Sequence, residues 1–491
     1  MKKRITALAL TLFILIGCFS AVSVSAETSG RLLGDTNNDG IVTIIDVTMI
    51  QRHLAEIVTF DDESTAAGDV DGNGILDIND ATLIQKWIAK MDVPYAIGEV
   101  MTEYAAYAAQ KQAAIDALSA RLAETKADAG SLPVLIRSYD TYSLYLYNSA
   151  YTYDNALAAM AFISEGRTSD AEEILDAFVY VVDHDRYQPG RIRKAYAADT
   201  VYYYNDGNSV KLPGWWDYSA SLWREDQTQV GSNVGDTSYA ALALLQYDRV
   251  YNADKYLPTA KKLMDWVIND CKKSGDGFIA GYEGWPENGG AKTLNYKVLE
   301  HNLDAFSSFS RLYEVTGEEK YKSAADSALR FIKSMYNSEK GYFFTGTLDD
   351  GVTVNTSVLP LDAQVWNAMA LKEEFEPYTA ALDTVRSMKT PEGAYPFCKE
   401  NKNGGFWCEG SAFTALMYKE RGEYDEYSDT MNALCAVQLE NGLFPAATVD
   451  NLSTGIILTN GDPWEYNQDP HIAPTAWFVM AVNGFDPYDF S

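Results

Sequence analysis

Positive charge is scarce in this chain. Against 69 Asp and Glu stand 39 Lys and Arg, a formal net charge of −30 at pH 7. Binding to nucleic acid rests on clustered cations that neutralise phosphates, so that class is excluded. A strongly anionic polysaccharide is disfavoured on the same ground, although Arg191, Arg193 and Lys194 form one local basic cluster. Histidine is scarcer still, at four residues, and no Cys–His spacing suits a zinc site. Of five cysteines, Cys271, Cys398, Cys408 and Cys435 lie beyond the first 26 residues. They are too few for a disulfide framework in a chain of this size. Cys398 and Cys408 either pair across one loop or stay as free buried thiols. Past the N-terminal stretch, nothing approaches the ~20 consecutive apolar residues of a membrane helix.

The first residues have the build of a targeting segment. Lys2, Lys3 and Arg4 are its charged start, Ile5 to Ile16 its apolar run, and Val24-Ser25-Ala26 its small-residue cleavage site. Release after Ala26 is expected, which makes 1–26 a signal peptide and the protein secreted. Leu15-Ile16-Gly17-Cys18 also resembles a bacterial lipoprotein box, which would instead leave Cys18 as a lipidated terminus.

What the chain has in plenty is aromatic and small apolar side chains, among them 33 Tyr and 10 Trp. One local grammar recurs: an acidic or amide residue opens an Ala-rich apolar run. It appears as Y-T-Y-D-N-A-L-A-A-M-A-F from Tyr151, G-D-T-S-Y-A-A-L-A-L-L from Gly235 and E-H-N-L-D-A-F from Glu300. It returns as L-D-A-Q-V-W-N-A-M-A-L from Leu361, C-E-G-S-A-F-T-A-L from Cys408 and, without the acid, I-A-P-T-A-W-F-V-M-A from Ile472. Repetition at roughly 45–80 residues indicates an array of units, none able to bury its own apolar face. Helices apolar all round belong inside a second layer. Amphipathic stretches such as Thr259–Asn269, Lys320–Tyr336 and Tyr378–Met388 supply that layer, and Glu99–Lys126 reads as a further long one. Gly–aromatic turns (D-G-F-I-A-G from Asp276, K-G-Y-F-F-T-G from Lys340, E-G-A-Y-P-F from Glu392, N-G-L-F-P-A from Asn441) follow several outer segments. Six repeats of outer helix, turn, long loop and inner helix close into an all-α (α/α)6 toroid over residues 99–491, with the acidic openings gathered at one end.

Ahead of the toroid lies a tandem repeat: G-D-T-N-N-D-G-I-V-T-I-I-D from Gly34 and G-D-V-D-G-N-G-I-L-D-I-N-D from Gly68. Calcium takes six to eight hard oxygens, which alternate positions of a tight loop can supply. The first loop offers Asp35, Asn37, Asp39, the Ile41 carbonyl, Thr43 and Asp46. The second offers Asp69, Asp71, Asn73, the Ile75 carbonyl, Asp77 and Asp80. This pattern, spanning residues 31–92, resembles a type I dockerin, a module that attaches secreted enzymes to cohesin-bearing scaffolds. The resemblance implies two calcium ions and a cohesin domain as partner. It places the cohesin-binding surface at Ile44, Ile45, Gln51, Arg52, Ile78, Asn79, Gln85 and Lys86.

The toroid pattern resembles the six-hairpin glycosidase superfamily, on the helix pairs, on E-H-N-L-D-A-F, F-W-C-E-G-S-A-F and P-T-A-W-F-V-M-A. No family's catalytic pair carries over, since the D-A-G-D and S-E-G-x-x-Y-G-M signatures of better-known families on the fold are absent. Glycoside hydrolysis needs one carboxyl to protonate the leaving oxygen and another to activate water or attack the sugar. Asp154, Asp236, Glu300, Asp362 and Glu409 open the inner segments and are the candidates, with Glu300 and Glu409 the preferred pair. The same residues also serve as helix caps. His301 and Trp407 flank that pair, and Trp215, Trp216, Trp223, Trp285 and Trp464 stand in polar loops where a sugar face would stack. The expected function is a cellulosome-associated glycoside hydrolase acting on plant cell-wall polysaccharide, with no catalytic cofactor. A non-catalytic carbohydrate-binding component, an epimerase and a polysaccharide lyase remain as alternatives.

Overall fold

The computed structural model describes residues 31–490, apart from 56, 61, 72–75, 92, 100, 130–132, 144–145, 199–209, 285–289, 402 and 458–460. The leader 1–26 with Cys18, the ligand candidates Asn73 and Ile75, and Trp285 lie outside the described residues. The chain divides into two compact units: Met1–Met91 with Ile97–Thr102, and Asp92–Ala96 with Glu103–Ser491.

The small unit is built on helices α1 (Ile44–Leu54), α2 (Asp62–Gly68) and α3 (Ile78–Ile88). The tandem repeat is visible in how α1 and α3 begin. Thr43 caps α1 while the Asp46 carboxylate accepts the Thr43 N–H at 2.8 Å. Asp77 and Asp80 repeat the arrangement on α3, also at 2.8 Å. Each reciprocal cap satisfies two N–H groups that a helix start leaves open and is worth about 1 kcal/mol. Val47 and Ile50 of α1 and Ala81 and Ile84 of α3 are buried, and the backbones of Leu33 and Gly98 close the unit (Gly98 N–H to Leu33 O, 2.8 Å).

The large unit runs through α4 (Met101–Ala129), α5 (Thr152–Ser164), α6 (Thr168–Asp183), α7 (Val234–Val250), α8 (Leu257–Trp266) and α9 (Leu299–Thr316). It continues through α10 (Glu319–Ser334), α11 (Asp362–Leu371), α12 (Ala381–Arg386), α13 (Cys408–Glu420), α14 (Tyr424–Cys435) and α15 (Ile472–Asn483). Helix α5 packs on α7, α7 on α9, α9 on α11, α11 on α13, α13 on α15, and α15 returns to α5. That ring is the inner layer. Helices α6, α8, α10, α12 and α14 each cover the inner neighbour. The fourth outer connection departs from the pattern. A 3-10 stretch, Lys372–Tyr378, precedes a short α12, and Pro377 explains why no longer helix forms there.

The recurring grammar turns out to encode a clamp. In each inner helix a polar side chain near the start bonds the carbonyl four residues back: Asn155 to Tyr151, Thr237 to Asn233, Asn302 to Val298, Gln364 to Pro360, Ser411 to Trp407 and Thr475 to His471. In five of these helices the same side chain also accepts a backbone N–H from the preceding turn. The donors are Ile136, Phe278, Phe343, Tyr395 and Phe444, at 2.7–3.0 Å. Four of those donors belong to the Gly–aromatic turns. Each clamp satisfies buried backbone groups that would otherwise cost roughly 1–3 kcal/mol.

Every strand of the large unit among the described residues lies in a loop that leads from an outer helix into an inner one. These loops are joined around the ring. Ser149–Tyr151 pairs with Ala195–Ala197, and Ser232–Asn233 with Gly281–Glu283. Single bridges link Val298 to Gly346, Pro360 to Cys398, Trp407 to Ala447 and His471 to Tyr139. The collar therefore closes on itself at the end where all inner helices start. At Gly346 (φ +143°) a Cβ would sit 2.0 Å from Lys297 O, so only glycine lets the third and fourth loops approach. All four cysteines of this unit are free thiols, Cys398 and Cys408 included.

Candidate active site

Aligned on the clamps, the acidic openings fall into two registers. Glu300, Asp362 and Glu409 stand two residues before the clamp on the third, fourth and fifth inner helices, whereas Asp154 and Asp236 stand one before it on the first and second. All five are in the first turn of their helices, at the collar end. Consecutive helix positions differ by about 100° in direction, so the two sets enter the mouth at different angles.

Each carboxyl bears on the next. Asp154 acts on Asp236 and on Glu409, Asp362 acts on Glu409 and on Glu300. Burial and this mutual repulsion keep protons on. Burial, reinforced by the Asp154 and Asp362 charges, raises Glu409 to about 8, although the Tyr153 hydroxyl pulls the other way. Tyr153 donates to Glu409 Oε1 at 2.6 Å and accepts from Trp477 Nε1 at 3.1 Å. Burial and the facing Asp362 push Glu300 well above the carboxylate range. Asp362 reaches only about 6, because its burial is offset by a hydrogen bond with Glu300. The pair titrates together, with burial and repulsion favouring the proton on Glu300 over Asp362. Burial also raises Asp236 to about 6.

Beneath this ring, Trp366 packs at 5.5–6.5 Å on Phe413, Tyr239, Tyr488, Tyr153 and Trp477, forming an aromatic floor. Asp304, one turn below Glu300, accepts from the Tyr488 hydroxyl at 2.8 Å, and Tyr488 meets Tyr239 at 3.0 Å. Burial pushes Asp304 well up as well. Around the rim, His471 Nε2 lies 3.0 Å from Asp154 Oδ2, with the Tyr139 ring stacked on the imidazole at 3.9 Å. His301 is held neutral, driven down to about 3 by burial and then by the Lys194 charge. It occupies the space beside Gly235, where a Cβ would lie 2.4 Å from its Cδ2.

The aromatic candidates separate. Trp407 is buried between Phe397, Phe413 and Tyr466, a wall and not an exposed platform. Trp464 is exposed beside Tyr466. Trp215 and Trp216 are exposed on a hairpin of Gly214–Asp217 with Leu222–Glu225, where Trp216 faces Trp223 across the strands. Trp223 is pinned by its Nε1 bond to Leu212 O at 3.0 Å and by Lys211 over its ring. Sequence reasoning missed Tyr153, His471, Tyr488 and Lys194. Tyr153 shares the register of Glu300, Asp362 and Glu409, so alignment on the clamp residues would have exposed it, whereas His471 stands four residues before its clamp and is marked only by directly preceding the inner helix without an acid.

In the small unit the loop acids converge. Carboxylate oxygens of Asp69, Asp71 and Asp80 lie within 4.8 Å of one another. Burial, together with Asp71 and Asp69, raises Asp80 to about 6. Three carboxylates so close fit a hard divalent cation, whose charge would relieve their repulsion. Asp35 orders the first loop by accepting from the backbone of Asp39 and Gly40, at 3.1 and 2.8 Å, and Gly40 (φ +84°) makes the sharp turn. Asn37 bonds Asp39, Ile41 is exposed, and Asp46 is fully buried against Thr36 N–H at 2.9 Å. Ile44, Ile45 and Ile78 are exposed, as are Asn79, Gln85, Lys86, Gln51 and Arg52.

Residues 33–89 match the family model described as Dockerin type I domain. A search of curated protein sequences returns no match. Among solved structures, the chain is similar to a glycosidase variant in complex with glucose (TM-score 0.53, 11% identity, 77% of this chain and 98% of that one). It is similar to a novel alpha-amylase from Clostridium perfringens (0.54, 11%, 77% and 98%). A cellobiose 2-epimerase from Bacillus thermoamylovorans gives 0.51, 12%, 76% and 98%. At these identities the likeness is one of fold. Residues 33–89 are thus a type I dockerin, a module that binds calcium and implies a cohesin partner, and the large unit has the six-hairpin toroid fold found in glycosidases and sugar epimerases.

Proposed function

We propose that the large unit is a glycoside hydrolase that cleaves plant cell-wall polysaccharide, carried on a cellulosome by its dockerin. The observation that carries this is the asymmetry within the carboxyl ring. Glu409, raised to about 8, keeps its proton at neutral pH, while Asp362 loses its own near 6. Glycosidic cleavage needs such a pair, one carboxyl to protonate the leaving oxygen and one carboxylate to work on the other face of the sugar. Glu409 is the donor. Asp362 bears the negative charge, and Glu300, the favoured site of the proton, holds it there. Asp154 and Asp236 sit where sugar hydroxyls would be read, with Trp464, Trp215 and Trp216 as stacking surfaces on the rim. The dockerin supports attachment to a scaffold, and plant cell wall is the substrate class that such attachment serves. Calcium belongs to the dockerin: Asp35, Asp39, Asp46, Asp69, Asp71 and Asp80 would hold the two ions, which would brace the loops ahead of α1 and α3.

A second reading is favoured by one observation. His301 and His471 both stand at the collar end, with His471 Nε2 3.0 Å from Asp154 Oδ2. Epimerisation moves a proton off and onto a sugar carbon without breaking the glycosidic bond. Incubation with a panel of neutral plant polysaccharides and oligosaccharides separates the readings. Hydrolysis gives new reducing ends, whereas epimerisation changes sugar composition at constant chain length.

A further inference from the structure

Arg191 belongs to a local basic cluster in an acidic chain, and nothing in the carboxyl ring uses it. The segment from Arg191 to Lys194 threads between the starts of α5 and α7: Thr152 Oγ1 donates to Arg193 O and Ser232 Oγ to Ile192 O, both at 2.6 Å. Lys194 acts on Asp236 and His301, toward the mouth. Arg193 turns elsewhere and is spent on Asp185, in a two-pronged contact at 2.5 and 2.8 Å. Arg191 has no such partner. It is only 3% exposed, its Nη1 donates to Gln188 Oε1 at 3.2 Å, and its Nε and Nη2 have no acceptor. A buried guanidinium with open N–H groups is costly unless something else satisfies it.

Arg191 lines a cleft of about 220 Å³ with Tyr187, Gln188, Trp266, Asp270 and Tyr282. The cleft is smaller than the roughly 300–1,000 Å³ of sites for drug-sized ligands and suits a single sugar ring. Asp270 stands on a π turn, Val267–Cys271, that interrupts the end of α8. Such turns are uncommon and frequently mark functional positions. No hydrogen bond or ion pair engages the Asp270 carboxylate among the described residues. Tyr282, half-buried, adds aromatic surface, and the buried Trp266 backs it with ring centroids 6.3 Å apart.

We infer that this cleft is a second carbohydrate site, distinct from the carboxyl ring, which takes one neutral pyranose. A sugar hydroxyl donates to Asp270 while a neighbouring ring or hydroxyl oxygen accepts from Arg191, and the apolar sugar face lies on Tyr282, with Trp266 behind it. Arg191 and Asp270 balance in charge, so a neutral polyol bridges them without leaving either unpaired, whereas an acidic sugar would face Asp270 as a like charge. The inference rests on the carbohydrate reading of the large unit for its class of ligand, but not on turnover.

The test uses the full chain labelled with fluorotryptophan, the Trp266 resonance being assigned from its loss in Trp266→Phe. The probes are the methyl glycosides of glucose, xylose and mannose, with methyl glucuronide as the anionic comparison. At least one neutral glycoside should move the Trp266 signal saturably, equally in the wild type and in Glu409→Gln, and at least about tenfold more weakly in Asp270→Asn. An unmoved signal with every neutral glycoside overturns the inference. So does a response to the glucuronide alone, or a response that Asp270→Asn keeps and Glu409→Gln abolishes. A moved signal in a protein that cleaves no polysaccharide would sink the hydrolase reading and leave this site standing. Cleavage with an unmoved signal would do the reverse.

Discussion

The Tyr153 hydroxyl, on the first inner helix, donates to Glu409 Oε1, on the fifth, at 2.6 Å. The bond reaches past the sixth inner helix, whose Trp477 Nε1 donates to the same hydroxyl, and it works against burial by favouring the ionised form of Glu409. Removing it with Tyr153→Phe should raise the proton affinity of Glu409 further. The alkaline limb of the pH–rate profile, expected near pH 8 in the wild type, then moves to higher pH. A limb that stays in place or moves to lower pH would show that Glu409 is not the titrating donor. The lost bond should cost about 1 kcal/mol of stability.

The same burial makes stability depend on pH with a definite sign. Glu409 has a folded value of about 8 against a usual 4.5. Its stabilising contribution is complete below about pH 4.5 and is lost as pH rises through 8. Glu300 and Asp304, both pushed well up, act in the same direction. The thermal midpoint of the large unit should therefore fall between mildly acidic and mildly alkaline buffer, and Glu409→Gln should flatten part of that slope. A midpoint that rises over this range would contradict the burial of these groups in protonated form.

Gly235 and His301 test the packing of the rim. A methyl group at position 235 would meet the imidazole at 2.4 Å. Gly235→Ala should destabilise by about 1–3 kcal/mol, as overpacking does. The imidazole resonances of His301 should shift at the same time. Unchanged stability and unchanged resonances would mean that His301 does not pack there.

The fold was legible because its signal is carried by buried helices. Six Ala-rich runs, each opened by a polar residue, appear at intervals too long for anything but repeated hairpins, and the structure answers with six inner helices. Why the opening residue recurs was less legible. Asn155, Thr237, Asn302, Gln364, Ser411 and Thr475 are the repeated element, and the acids merely precede them by one or two positions. Read from the acids, the five carboxyls look equivalent; read from the clamps, they divide into two registers. The electrostatic coupling of Glu300 and Asp362 joins residues 62 positions apart, which spacing along one helix could not reveal. Trp407 shows the opposite limit. Beside Glu409 in sequence, it looked like a pocket residue, yet its neighbours bury it.

The dockerin makes its own prediction. If Asp35 and Asp69 help hold calcium, residues 31–102 should melt at a higher temperature with calcium than with chelator, because an ion that binds only the folded state stabilises it by mass action. Asp35→Ala with Asp69→Ala should abolish the difference and the binding of a cohesin. Equal midpoints in the wild type with and without calcium would contradict the ligand set.

The central claim is the division of labour among Glu409, Asp362 and Glu300. It is tested most directly by the rate of reducing-end release from the polysaccharide that the wild type degrades, measured for Glu409→Gln, Asp362→Asn and Glu300→Gln. All three changes nearly preserve shape. Loss of a catalytic acid or base typically costs on the order of 10²–10⁴ in rate. The first two variants should lose that much while remaining folded. Glu300→Gln should lose less, because an amide can still donate to Asp362 and leave the charge in place. Retention of activity within a few-fold by both Glu409→Gln and Asp362→Asn would contradict the account.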